Sequence, residues 1–223
     1  MAAPEGQTFT RKVIDRRAQE ARKWEFNRFV NELYPLYQGM DQLVFGDETA
    51  KDLRAGRRLR GYSRKGERCK IVLSFARGQR YSICAWQNSE GFLAHSITEG
   101  TFTSHSFYYA FLKDVYYRLS PWPGPNSIVI IDNARIHKLP ELRTAIEQVG
   151  AKLIFLPPYS PHLNPIKQTF GIIKSRLARS RAIYETDPLN TLRLVFTEAC
   201  HPNNHSLFSH HGYHDTFFEV SHK

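Results

Sequence analysis

Leu156 to Lys174, LPPYSPHLNPIKQTFGIIK, turns an apolar strand sharply into an amphipathic helix. Ile154, Phe155 and Leu156 read as the end of a buried strand, and Pro157, Pro158 and Pro161 exclude helix and regular sheet from the residues that follow. A rigid loop is the expectation there. Asn164 suits an N-cap and Pro165 the first helical position, after which Ile166, Phe170, Ile173 and Leu177 recur at helical spacing. Lys167 then falls at the third helical position. A lysine there opposes the helix dipole, so Lys167→Glu alone is expected to stabilise by ~0.3–1 kcal/mol.

Two further stretches precede it, VFGDET at Val44 to Thr49 and IVIIDNARIHK at Ile128 to Lys138, with 34 residues between Asp132 and Lys167. In this order the three stretches resemble the motifs of the DDE transposases of the mariner superfamily, and the likeness runs from about Arg16 to about Tyr213. The third family motif reads like PPYSPDLNPIE. Here His162 stands where that pattern has Asp, and Lys167 where it has the last catalytic Glu. The resemblance implies an α/β chain with the ribonuclease H-like fold, a mixed β-sheet flanked by α-helices. It also implies DNA cutting and joining through Mg²⁺ or Mn²⁺ if the site is active. Asp47 and Asp132 are the expected metal ligands, and Asp47, Asp132 and Lys167 the three catalytic positions.

The composition agrees with a globular protein: 223 residues, 41% hydrophobic and 13% aromatic. A formal charge of +10 favours a polyanionic partner, because Lys and Arg release counterions from phosphates. Charge alone also suits ribosomal, chromatin and membrane-surface proteins. Cys69, Cys84 and Cys200 are odd in number and lack CxxC spacing, which argues against a disulfide framework or a structural zinc site. No apolar leader or bilayer-length run is present in these residues, so the expectation is an intracellular soluble protein, nuclear in a eukaryote. DNA is the expected partner, with a homodimer left open and neither a membrane nor a small-molecule substrate expected.

Residues 1–40 are expected to form an N-terminal helical connector, 41–185 the endonuclease domain, and 186–223 a C-terminal helix and closing tail. Phe9 to Tyr37 favours one or two helices with Phe26, Phe29, Val30 and Leu33 on one face. In the resembled family a helix-turn-helix DNA-binding region comes before this connector. None is read here, which leaves a truncated product and a stand-alone remnant both open.

Strands are expected at Gln42 to Asp47, near Cys69 to Phe75, at Arg80 to Gln87, Phe92 to Thr98, Ser127 to Ile131 and Lys152 to Leu156. Helices follow Thr103 or Ser104, Pro140, Asn164 and about Pro188. Lys51 to Lys70 holds nine Lys or Arg. Read as a basic loop, it offers Arg54, Arg57, Arg58, Arg60, Arg64 and Lys65 to a DNA backbone, joined by Lys174, Arg176 and Arg179 from the helix that carries Lys167. Taken alone, a charge run is a solvated surface.

The family chemistry needs hard oxygen ligands for divalent ions about 3.5–4 Å apart. Lys167 has three donors and no lone pair, so it cannot replace a carboxylate. Like charge at ~4 Å costs roughly 4 kcal/mol at an effective dielectric of ~20, which would drive the lysine to lose its proton, swing out or exclude a metal. Nearby rescue is scarce: no Asp or Glu lies between Glu147 and Glu185. Glu48 is expected to face away from Asp47. His137 is a candidate phosphate or metal-water contact, or equally a loop residue bonded to backbone. His162 is a weak candidate ligand for Mn²⁺ or Zn²⁺, and the C-terminal histidines read as a surface cluster. Three functions stay open: a DDE domain with impaired cleavage, a DNA-binding remnant without catalysis, and a ribonuclease H-like hydrolase acting on other nucleic acids.

Overall fold

A five-stranded mixed sheet in the order β3-β2-β1-β4-β5 organises the molecule. Its strands are β1 (Leu43–Lys51), β2 (Tyr81–Asn88), β3 (Gly91–Glu99), β4 (Ile128–Ile131) and β5 (Lys152–Phe155). A computed structural model describes residues 23–51, 63–68, 79–199 and 204–215. The strand expected near Cys69 to Phe75 and most of the basic loop, including Arg54, Arg57, Arg58 and Arg60, lie outside the described residues.

The antiparallel half, β1 to β3, is a meander. Its hairpin turn forms because Asn88 Oδ1 accepts the N–H groups of Glu90 and Gly91, both at 3.1 Å, and Gly91 takes a positive φ. In the parallel half β4 lies between β1 and β5. All four β4 residues are fully buried, as a continuous apolar run sandwiched by helices requires.

Alternation along the strands divides the core in two. Leu43 and Phe45 of β1, with Ile128 and Ile130 of β4, face a layer built from α1 (Lys23–Leu33), α4 (Pro165–Arg179), α6 (Pro188–Glu198) and α7 (His205–His210). Val44, Val129 and Ile131 face α2 (Ser104–Asp114) and α3 (Pro140–Gln148). A short α5 (Arg181–Thr186) joins α4 to α6.

Local chemistry sets the helix ends. Thr103 caps α2 through a reciprocal pair of bonds with Ser106, and the Asp187 side chain caps α6 by accepting the Asn190 N–H at 3.2 Å. At α4 the expected side-chain cap is absent: Asn164 occupies the cap position, but its amide N–H turns to Asp47 and its Oδ1 accepts no helix N–H. The first strand also runs longer than its apolar residues suggest. It pairs with β2 as far as Lys51 but with β4 only as far as Gly46, opposite Ile131. Asp47 and Asp132 are therefore the first residues past the parallel pairing, side by side on the face toward α4.

Candidate active site

Asp47 is only 1% exposed, and both of its carboxylate oxygens are engaged. Oδ1 accepts the Glu48 N–H at 2.8 Å, while Oδ2 lies 2.6 Å from Lys167 Nζ and accepts from Asn164 Nδ2 at 3.2 Å. The loop after β5 makes this possible. Tyr159 takes a positive φ between Pro158 and Ser160, a 3₁₀ turn at Pro161–Leu163 follows, and Asn164 and Lys167 arrive over the end of β4. Tyr213 Oη donates to the Leu163 carbonyl at 2.8 Å and holds that turn from the C-terminal side.

Asp132 is shared between two cations. Its Oδ2 lies 3.8 Å from Lys167 Nζ. Its Oδ1 accepts the Ala134 N–H at 3.0 Å and meets His137 Nδ1 at 2.8 Å. His137 is fully buried, with its ring 4.5 Å from that of Phe107, and its Nε2 bonds Glu48 Oε1 at 2.8 Å. Glu48 does face away from Asp47, but its carboxylate is tied back to the site through this imidazole. The side chains thus form one chain of contacts from Asp47 through Lys167, Asp132 and His137 to Glu48.

Charge follows from these contacts. Burial pushes the Asp47 carboxyl up to about 6, with Lys167 pulling the other way. Burial would also raise Asp132, but the bonds and charge of His137, the Ala134 N–H and Lys167 hold it below its ordinary value. Burial disfavours charge on His137, yet the bonds to Asp132 and Glu48 prevail and push it up to about 10. The imidazolium is therefore an interior cation at neutral pH. Its expected contact with phosphate is corrected: both ring nitrogens are occupied and no part of the ring reaches the surface.

A cleft of about 380 Å³ opens beside these groups, lined by Asp132, Asn133, the proline loop, Asn164 and Lys167. A divalent ion bound here would need free carboxylate oxygens. Asp47 has none, its outer oxygen being covered by an ammonium and an amide, and among the described residues no group of three or more His, Cys, Asp or Glu side chains could hold a metal. The residues present do not fit the ion pair of the resembled chemistry. His162 does not line the cleft, and its carbonyl accepts from His211 Nδ1. Of the basic residues named from sequence, Arg64 and Lys65 lie exposed on a turn, and Lys174 and Arg179 are exposed on α4 with Arg176 half-buried. Lys174 sits two helical turns beyond Lys167 on the same face, about 10 Å along the axis.

Residues 42–190, more than half of the chain, match the family described as DDE superfamily endonuclease. The chain belongs to that family. Its mixed five-stranded sheet with flanking helices has the ribonuclease H-like fold of DDE domains. A Mos1 transposase paired-end complex with left transposon end is 16% identical at a TM-score of 0.59, covering 96% of this chain and 69% of that one. A mariner Mos1 paired-end complex with Mg is 16% identical at a TM-score of 0.62, over 92% of this chain and 65% of that one. The Mos1 transposase catalytic domain with Raltegravir and Mg, 16% identical at a TM-score of 0.53, is matched over 94% of its length by 86% of this chain. The chain thus spans about two thirds of the Mos1 chain in the paired-end complexes and nearly all of the isolated catalytic domain. No curated protein matches the chain.

Two site residues escaped the sequence reading in their actual roles. Asn164 has the composition of a cap and serves as a clamp on Asp47. His137 has the position of a loop polar group and serves as the bridge between two carboxylates. The only sequence signal for the bridge is its spacing of five from Asp132, which a 3₁₀ turn at Arg135–His137 folds back beneath the strand end.

Proposed function

We propose that this DDE domain descends from a transposase that cut and joined DNA with divalent cations, that it retains DNA binding, and that its strand cleavage is impaired. The observation that supports the loss is the Lys167 ammonium lying 2.6 Å from Asp47 and 3.8 Å from Asp132, where the resembled family places a third carboxylate. Binding is supported by the formal charge of +10 and by Arg64, Lys65, Lys174, Arg176 and Arg179, together with Arg54, Arg57, Arg58 and Arg60 of the same basic run. The similar Mos1 structures include a complex with a transposon end. In a eukaryotic cell such a protein acts in the nucleus. Phosphate contacts position a protein without reading bases, so binding is weakly sequence-specific.

Labelled duplex DNA incubated with the purified protein and Mg²⁺ or Mn²⁺ tests the proposal. The expected result is retention without nicking, with an affinity that falls steeply as salt rises. Metal-dependent nicking that Asp132→Asn abolishes would overturn the impairment, and an affinity flat between low and moderate salt would overturn the DNA-binding part.

A further inference from the structure

The site gathers three carboxylates, Asp47, Glu48 and Asp132, around two cations, His137 and Lys167. Asp47 and Asp132 stand side by side past the last β1/β4 pair. In a metal-dependent site of this chemistry, divalent ions hold such carboxylates together. Here the lysine ammonium touches one carboxylate and approaches the other.

We propose that Lys167 is the resident cation of this site: its ammonium takes over the structural task of the divalent ion, so the fold needs no metal, and ammonium and metal exclude one another. The proposal goes beyond the DNA-binding reading and does not depend on it.

Three observations carry it. First, Asp47 Oδ2 is already shared by Nζ at 2.6 Å and Asn164 Nδ2 at 3.2 Å, whereas a Mg²⁺ ligand oxygen has to lie about 2.0–2.1 Å from the ion. An ion at that oxygen would meet the ammonium at close range with the same sign of charge. Secondly, Lys167 extends from the third position of α4, and its side chain is 39% exposed, so it reaches in from the cleft and can be displaced outward without unpacking the core. Thirdly, Asn164 is 1% exposed, lines the cleft beside Lys167, and its Oδ1 has no hydrogen-bond partner. A buried carboxamide oxygen without a donor is costly. It is also a hard oxygen of the kind Mg²⁺ and Mn²⁺ take. Without the ammonium, Asp47, Asp132 and Asn164 Oδ1 would form an oxygen-only site open to water for its remaining ligands.

The test replaces the charge and keeps the shape, with MnCl₂ and EDTA as the only additions. Thermal unfolding of the parent protein is expected to be the same in either. Lys167→Met is expected to melt lower than the parent in EDTA and to gain about 5–10 °C when Mn²⁺ exceeds its Kd a hundredfold. Lys167→Met with Asp132→Asn is expected to lose that gain. An equal Mn²⁺ gain in the parent would overturn the exclusion, and a Lys167→Met protein indifferent to Mn²⁺ would overturn the assignment of a cation site. Should Lys167→Met fail to fold in EDTA, recovery with Mn²⁺ supports the proposal and failure in both overturns it, since the metal then cannot stand in for the ammonium. No readout involves DNA, so a protein that binds no DNA would leave this result standing.

Discussion

On one face of β1, Asp47 meets Lys167 at 2.6 Å beside an open cleft; on the other, Glu48 meets His137 at 2.8 Å inside an apolar layer. The pairs are built from neighbouring residues and share Asp132, yet their surroundings differ. The Lys167 stem is partly in water, which can take over an ammonium's hydrogen bonds if the side chain swings away. His137 is enclosed by Phe107 and the strand ends, and nothing replaces either of its carboxylate partners. Water therefore makes the first pair exchangeable and the second structural. Lys167 sits on the exchangeable side, where a change of side chain disturbs the packed interior less than a change at His137 would.

Removing the interior cation should have the largest effect. His137→Leu leaves Glu48 without a counter-charge against an apolar layer and Asp132 with Lys167 alone, and breaking such a buried arrangement costs ~3–5 kcal/mol. Urea unfolding at pH 7 measures it. The same residue sets a pH dependence whose sign follows from linkage. Its folded pKa of about 10 exceeds the ordinary 6.5, so the folded state holds the extra proton between those values. Stability from His137 is complete below pH 6.5 and is lost as pH rises through 10, at up to ~1.4 kcal/mol per pH unit. The parent's urea midpoint should fall between pH 7 and 10. A His137→Leu protein that kept the same alkaline slope would show that another group titrates.

A smaller loss is expected from Gly46→Ala, on the interior side again. Gly46 pairs with Trp86 across β1 and β2, and a Cβ there would stand 2.2 Å from the indole ring. Trp86 is itself buried against Phe107 and Phe111 and cannot move aside. Overpacking of this kind costs ~1–3 kcal/mol, or more where the ring is held on every side. Displacement of β1 would also shift Asp47. An alanine variant with unchanged urea midpoint would mean that the interior face yields as readily as the cleft face.

The sheet was legible because its strands are apolar runs of the right length and its turns have their own chemistry, as Asn88 and Gly91 illustrate. The Asp47 and Asp132 positions followed from motif resemblance, and their adjacency from parallel strands ending together. What sequence could not convey was where polar side chains point after the strands end. Asn164 satisfies every local rule for a cap, but donating its amide N–H to the buried Asp47 carboxylate sets the side chain in an orientation in which Oδ1 accepts no helix N–H. His137 reads as a loop residue because its two partners lie five and 89 positions away, one just past β4 and the other on β1. The same ignorance affects Lys167: read locally it only opposes a helix dipole, whereas the fold gives it Asp47.

The smallest effect is expected from reversing the charge at Lys167. In Lys167→Glu the helix dipole gains ~0.3–1 kcal/mol from a carboxylate at the third position. Against it stands the lost ion pair, discounted to ~1 kcal/mol because Lys167 is more than a third exposed. A third carboxylate beside Asp47 and Asp132 adds repulsion. In EDTA the exchange should therefore lower the melting temperature slightly rather than raise it. Mn²⁺ should reverse the sign, because three carboxylates then share a divalent ion instead of repelling one another. A Glu variant more stable than the parent in EDTA would show that the dipole outweighs the contact and that the cleft-side pair contributes nothing to the fold. If the variant also gains metal-dependent nicking of duplex DNA that Asp132→Asn removes, Lys167 was the one obstacle to cleavage; if it binds Mn²⁺ but leaves DNA intact, the fault extends beyond the third carboxylate.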